Sequence, residues 1–441
     1  MQAVVGAITL GAVLTGAASG AWQGASARQD AAQARSAIFY LGDGMGQGFR
    51  DAGRLLTVGA YGQLAMDTLP VVGLIGTNSV DPDGFITDSA AASTAYFTGV
   101  KTINGAVGVD PEGQSVVNIA ELAKAAGKSV GIVSTSQITD ASGAAVGAHV
   151  ASRDDQSEIA RQMIEDVQID VILGGGEDRW LPAGTAGAFP DNPAEDPEEA
   201  SISDQGDLIA RAQELGYEYV SDAAGLEAAA SPKLLGLFAN EEMFQQFPEG
   251  QGDIYDPVVS LDQMTAKAIE ILSQNPEGFF LFVEEEATDE LGAANNATLA
   301  LKGVQELDAA VATGIAYAEQ AGDTLLVVTA DHDVGGIVVE AIDDPEEVDE
   351  SGPGGTMATP MAGEEGAATV SGEDGPFPVA DSDLMFVIDW TTGNHTASRV
   401  PLTAMGPGSE LLAGTYENTD VFGVLVSVLG LDAATAGTPA P

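Results

Sequence analysis

The chain has 441 residues, with 67 Asp and Glu against 15 Lys and Arg, a formal charge of -52 and no cysteine. So acidic a surface repels phosphate backbones and anionic lipid, which argues against a nucleic-acid-binding or peripheral membrane protein. Without cysteine there is no disulfide and no thiolate metal site, which leaves histidine and carboxylates as metal ligands. The length suits one large α/β domain with insertions, or two domains. The acidic excess reads as adaptation to an extracytoplasmic, salty medium; a melting temperature indifferent to NaCl would refute that reading.

Residues 4–14 form a short apolar stretch followed by small residues, with cleavage expected after Ala27 or Ala34. Residues 1–27 therefore read as a signal peptide that exports the protein to the periplasm or beyond, although no Lys or Arg precedes the apolar run. No other run approaches the length of a membrane-spanning helix.

From residue 36 the chain alternates apolar runs with amphipathic segments. Strands are expected over 37–41, 129–133, 170–173, 279–283, 324–328 and 384–388. Helices are expected over 115–126, 155–165, 205–215, 261–272 and 297–318. This alternation implies a three-layer α/β sandwich, a mostly parallel central sheet with helices on both faces. Surface insertions interrupt it near 182–256, where 182–203 is rich in Pro, Ala and acid, and over 343–381, rich in Gly, Pro and Glu. Glu346, Glu347, Asp349 and Glu350 read as a solvated face.

Ser89 follows a short β-branched run and precedes a string of small helix formers, so it falls at a helix start. There, free backbone N–H groups and the helix dipole favour an anion, and a serine is placed to attack a phosphate. Taken alone, Asp88-Ser89 reads more simply as a helix cap. Its neighbours change that balance. In an open α/β sheet, ligands bind beyond the carboxyl ends of the strands. Asp43, Asp140, Ser142, Glu284, Asp289, Asp331, His332 and His395 all follow expected strands, and the chain has only three histidines. A metal site of oxygen and nitrogen ligands is the simplest chemistry that uses this set. Singly, Asp43 reads as a turn residue and Glu284 to Glu286 as a solvated edge. Arg153 offers a two-pronged donor for phosphate, or a surface ion pair.

The motifs Gly42 to Gly46, Thr87 to Ala90, Ser134-Thr135, Val283-Glu284, Thr329 to His332 and Thr392 to Thr396, in this order, resemble the alkaline phosphatase family. The resemblance covers most of the chain, with a catalytic domain over 36–430. It implies hydrolysis of small phosphate monoesters through a phosphoserine, with two zinc ions and one magnesium. It makes Ser89 the nucleophile and Arg153 the phosphate clamp. One zinc falls to Asp43, Asp331 and His332; the magnesium falls to Asp43, Ser142 and Glu284, with Asp140 behind them; the other zinc falls to Asp289 and His395. No nucleic acid and no stable membrane anchor are expected, and there is room for a homodimer.

One departure stands out. The family carries a histidine four residues after the Asp289 position, where this chain has Ala293. The second zinc is thus one protein ligand short, unless water, Asn295, Asn296 or another carboxylate fills in. His149 reads as a structural residue near Arg153, and Ser142 keeps the hydroxyl of a frequent threonine. A phosphodiesterase or other ester hydrolase on the same fold, or a weakened metal- or phosphate-binding relative, are the competing readings.

Overall fold

The computed structural model describes residues 33–189, 201–244, 255–341 and 374–432. The expected signal peptide and the Glu346 to Glu350 run lie outside them, as do 190–200, 245–254 and 342–373 of the two expected insertions.

Strand β1 (Ser36–Gly42), helix α1 (Gln47–Val58), strand β2 (Val71–Gly76) and helix α2 (Ser89–Thr98) open the fold. Helix α3 (Ile119–Ala125), β3 (Ser129–Gln137), α4 (Ala141–Gly147), α5 (Gln156–Glu165) and β4 (Val171–Gly175) continue the alternation. Next come α6 (Leu208–Glu214), β5 (Glu218–Val220), α7 (Ala223–Ala228), β6 (Leu234–Leu237) and α8 (Leu261–Leu272). After them run β7 (Phe279–Glu285), α9 (Ala287–Ala293), α10 (Ala297–Ala321) and β8 (Thr324–Thr329). The last part holds β9 (Asp333–Val334), β10 (Val338–Ala341), β11 (Phe377–Pro378), β12 (Met385–Asp389) and β13 (His395–Thr396). It closes with β14 (Val400–Met405), β15 (Gly414–Glu417) and α11 (Asn418–Val428).

Ten strands form the central sheet in the order β15-β2-β14-β8-β1-β7-β3-β4-β6-β5. All its pairings are parallel except those of β14 with β2 and β8. Adjacent residues of β1 show why both faces must be covered. Phe39 packs on Tyr96 and Phe97 of α2, whereas Tyr40, pointing the other way, donates its hydroxyl to the Ala310 carbonyl of α10 at 2.9 Å. Gly314 lets α10 come that close: a Cβ there would lie 2.2 Å from the Tyr40 hydroxyl. Residues alternate across a strand, so a run apolar at every position is buried on both sides, and β1, β7 and β8 are buried throughout. The expected three-layer sandwich is therefore the observed architecture.

Local expectations needed three corrections. The helix expected over 115–126 begins only at Ile119, because Ser115 bridges Val109 and Asn118 caps the helix with Glu121 answering in a capping box. The strand expected over 384–388 exists as β12, but it belongs to a separate three-stranded antiparallel sheet with β10 and β11. Part of the expected 343–381 excursion is thereby ordered sheet, since β11 lies within it. Among the described residues, no helix is long and apolar enough to cross a membrane.

Candidate active site

The strand ends do gather the expected residues. Asp43 follows β1, Glu284 lies at the end of β7 next to its last residue, Asp331 and His332 follow β8, and Asp140 sits just before α4 beyond β3. His395 arrives differently: β13 pairs with β9, placing His395 opposite Val334, two residues after His332. Its ring then lies on that of His332, centroids 3.6 Å apart, and its Nδ1 is fixed by the Thr87 carbonyl at 2.9 Å.

Asp88 is the cap of α2, accepting from the Ala91 N–H at 2.9 Å, so Ser89 is the first helical residue and is released from capping. The Ser89 hydroxyl faces His332 Nε2 at 3.3 Å and is 4% exposed. Asp88 has a second task. Its carboxylate accepts from the Gly105 N–H at 2.8 Å and meets Arg153 Nη1 at 3.5 Å, tying the helix start to the expected phosphate clamp. Arg153 Nη2 also donates to both oxygens of Asp140 at 2.9 Å.

Two groups of side chains could hold metal ions: Asp43, Asp331 and His332, and Asp289, His332 and His395, with ligand atoms within 4.8 Å of one another in each. The first is the expected trio. The second brings Asp289 and His395 together as expected and adds His332, whose Nδ1 is 3.7 Å from Asp289 Oδ1. The three expected magnesium ligands also converge, with Ser142 Oγ 3.4 Å from Asp43 Oδ2 and Glu284 held from Ser134 Oγ at 2.7 Å. Ala293 ends α9 one turn beyond Asp289 and offers no ligand. Both nearby asparagines have other partners. Asn295 lies against the Thr392 and Gly292 carbonyls, and Asn296 caps α10 by accepting from the Leu299 N–H.

The electrostatics point the same way. Burial, then Asp331, Asp289 and Glu284, pushes the Asp43 carboxyl well above its ordinary range. Burial also raises Glu284, to about 8, against the opposing Ser134 hydrogen bond. Burial alone would raise Asp331, but His332 beside it and the Gly44 N–H hold it at about 2. Burial would lower His395, yet Asp289 lifts it to about 9. Asp43 Oδ1, Asp289 Oδ1, Asp331 Oδ2 and His332 Nδ1 are buried without a hydrogen-bond partner. Buried polar atoms are rarely left so, and these are the atoms a divalent ion would bind, so the donor set fits metals.

His149 is structural: its ring sits between the Gly108 carbonyl at 2.7 Å and Glu121 at 3.3 Å. Sequence reasoning missed Asp88 as the partner of Arg153, and it missed that Glu285 and Glu286 are buried beside Glu284. The alternation of a strand running into a parallel sheet was the available signal for Glu284 and Glu285; nothing local signalled Glu286.

A serine at a helix start facing a buried histidine and carboxylate array suits metal-dependent hydrolysis of an anionic ester, and comparison narrows that class. The alkaline phosphatase family model matches residues 34–431, and the chain belongs to this family of metal-dependent phosphomonoester hydrolases. Alkaline phosphatase 4 of Bacillus subtilis (strain 168) is 31% identical over 471 residues, covering 97% of this chain and 95% of the relative. The alkaline phosphatase of Escherichia coli (strain K12) is 34% identical over 445 residues, 90% of this chain and 86% of the relative. Among solved structures, alkaline phosphatase from the Antarctic bacterium TAB5 has a TM-score of 0.68 at 27% identity, covering 91% of this chain and 99% of that one.

Proposed function

We propose that this enzyme hydrolyses small phosphate monoesters through a phosphoserine at Ser89, using two zinc ions and one magnesium. The single observation that carries the reading is the Ser89 hydroxyl, freed from capping by Asp88 and directed at His332 between the two ligand groups. Asp43, Asp331 and His332 would hold one zinc and Asp289 and His395 the other; Asp43, Ser142 and Glu284 would hold the magnesium, with Asp140 behind them. When bound, such ions supply Lewis acidity, lowering the pKa of the serine hydroxyl and stabilising the leaving oxygen.

The protein's own part is positioning. Arg153 presents a planar fork that matches two phosphate oxygens, and Asp88 and Asp140 hold it at the helix start. The free N–H groups of the first turn of α2 favour the negative charge that gathers there. Ser89 Oγ loses its proton and forms the bond to phosphorus as the bond from phosphorus to the ester oxygen breaks, and the departing oxygen takes up a proton to leave as the alcohol. Water then cleaves the phosphoserine, returning the hydroxyl and releasing inorganic phosphate. Export of a signal-bearing precursor, residues 1–27 preceding the catalytic domain 36–430, fits the apolar start of the chain and its acidity. Turnover of p-nitrophenyl phosphate should far exceed that of bis-p-nitrophenyl phosphate and vanish in Ser89→Ala; a preference for the diester would overturn the assignment.

A further inference from the structure

Beyond the ligand groups above, a second concentration of carboxylates lies past the ends of β3, β6 and β7. Thr135 of β3 assembles it. Its Oγ1 accepts from the Glu286 N–H at 3.0 Å and its carbonyl from the Met243 N–H at 2.8 Å, so one residue fixes the backbone at Glu286 and that next to Glu242. Glu242 Oε1 accepts from Gln137 Nε2 at 2.9 Å. Glu286 is 4% exposed, and its Oε2 has no hydrogen-bond partner. The charges acting most strongly on it are the carboxylates of Asp140, Glu242, Glu290 and Glu284.

The basic side chains nearby are turned to other partners. Arg153 grips Asp140, and Arg179 donates to Gln137 at 3.0 Å and lies 3.6 Å from Asp178. A carboxylate buried among carboxylates, with an oxygen that no donor reaches, calls for a positive charge. Oxygen-only donors select hard ions. We propose that Glu286 and Glu242, backed by Asp140, bind a further hard divalent cation of the magnesium or calcium class, apart from the groups around His332 and from the Asp43, Ser142 and Glu284 set. These oxygens are not drawn as close together as in the two His332 groups, which suits an ion that keeps several of its waters. Asp140 is among the carboxylates acting on Glu286 and accepts from Arg153 Nη2, so an ion here steadies the carboxylate on which the arginine rests.

The test is anomalous diffraction from crystals of the whole enzyme equilibrated with Mn2+ alone. The expected result is a peak between Glu286 and Glu242, present in the native protein and absent from Glu286→Gln, with the peaks at the Asp43 and Asp289 groups retained in both. In solution, bound Mn2+ should fall by about one ion per chain in Glu286→Gln and in Glu242→Gln. No peak in the native crystals, or one that persists unchanged in Glu286→Gln, overturns the proposal and leaves a shared proton to balance the cluster.

Discussion

Replacing Arg153 by alanine tests the phosphate clamp most severely. The side chain is 29% exposed, holds both Asp140 oxygens at 2.9 Å and lies 3.5 Å from Asp88, so it is already oriented before substrate arrives. A guanidinium meeting a phosphate dianion makes two charge-assisted hydrogen bonds, each contributing about 1.5–3 kcal/mol. Partial exposure favours the lower end, so the loss is about 3 kcal/mol. At about 1.4 kcal/mol per decade this lowers kcat/KM roughly 150-fold. Inorganic phosphate, which meets the same fork, should weaken as an inhibitor in parallel. Arg153→Lys keeps the charge but not the fork, and should recover only part of the loss. The assay is p-nitrophenyl phosphate hydrolysis with phosphate as competitor, on protein of confirmed metal content. If Arg153→Ala kept kcat/KM within a few-fold of the native enzyme, the clamp reasoning would be wrong.

Two further outcomes follow from named residues. Ala293→His places an imidazole on α9 one turn after Asp289, next to the loop that carries His395; zinc retention there should rise about 10- to 100-fold after dialysis, measured by mass spectrometry. Unchanged zinc content would show that His332 and water already complete the site. Glu285 has its carboxyl raised from 4.5 to about 8, by burial first, against the Tyr255 hydroxyl and the Ala287 N–H that favour its ionised form. The folded state thus holds this proton more tightly than the unfolded chain. The contribution to stability is full below about pH 4.5 and is lost as pH climbs through about 8. Glu285→Gln does not titrate, so its melting temperature should gain on that of the native protein from about pH 5 to pH 9; a constant difference contradicts the reading.

What could be read from the sequence, and what could not, divides along physical lines. Helix α8 was expected at its observed bounds because its apolar positions recur at helical spacing, and the structure adds a Ser260–Gln263 capping box at its start. The buried strands β1, β7 and β8 showed as apolar runs ending on Asp or Glu. Strand β14 escaped notice because Pro401 lies inside it, and β2 because Gly73 interrupts it; their place in the sheet comes from pairing with each other and with β8 and β15. His395 was placed in the site for the wrong reason. It comes in through the short β13–β9 pair and not from a strand of the central sheet. Ser89 at a helix start was legible, whereas its release from capping required the Asp88 geometry. Glu286 was illegible because three consecutive glutamates look solvated until distant segments bury them.

The central claim is the covalent role of Ser89. Enzyme mixed with a phosphate monoester and quenched in acid within the first turnovers should yield a peptide phosphorylated at Ser89 by mass spectrometry, and none from Ser89→Ala. Full hydrolytic activity in Ser89→Ala, or phosphate trapped on a different residue, would contradict the account.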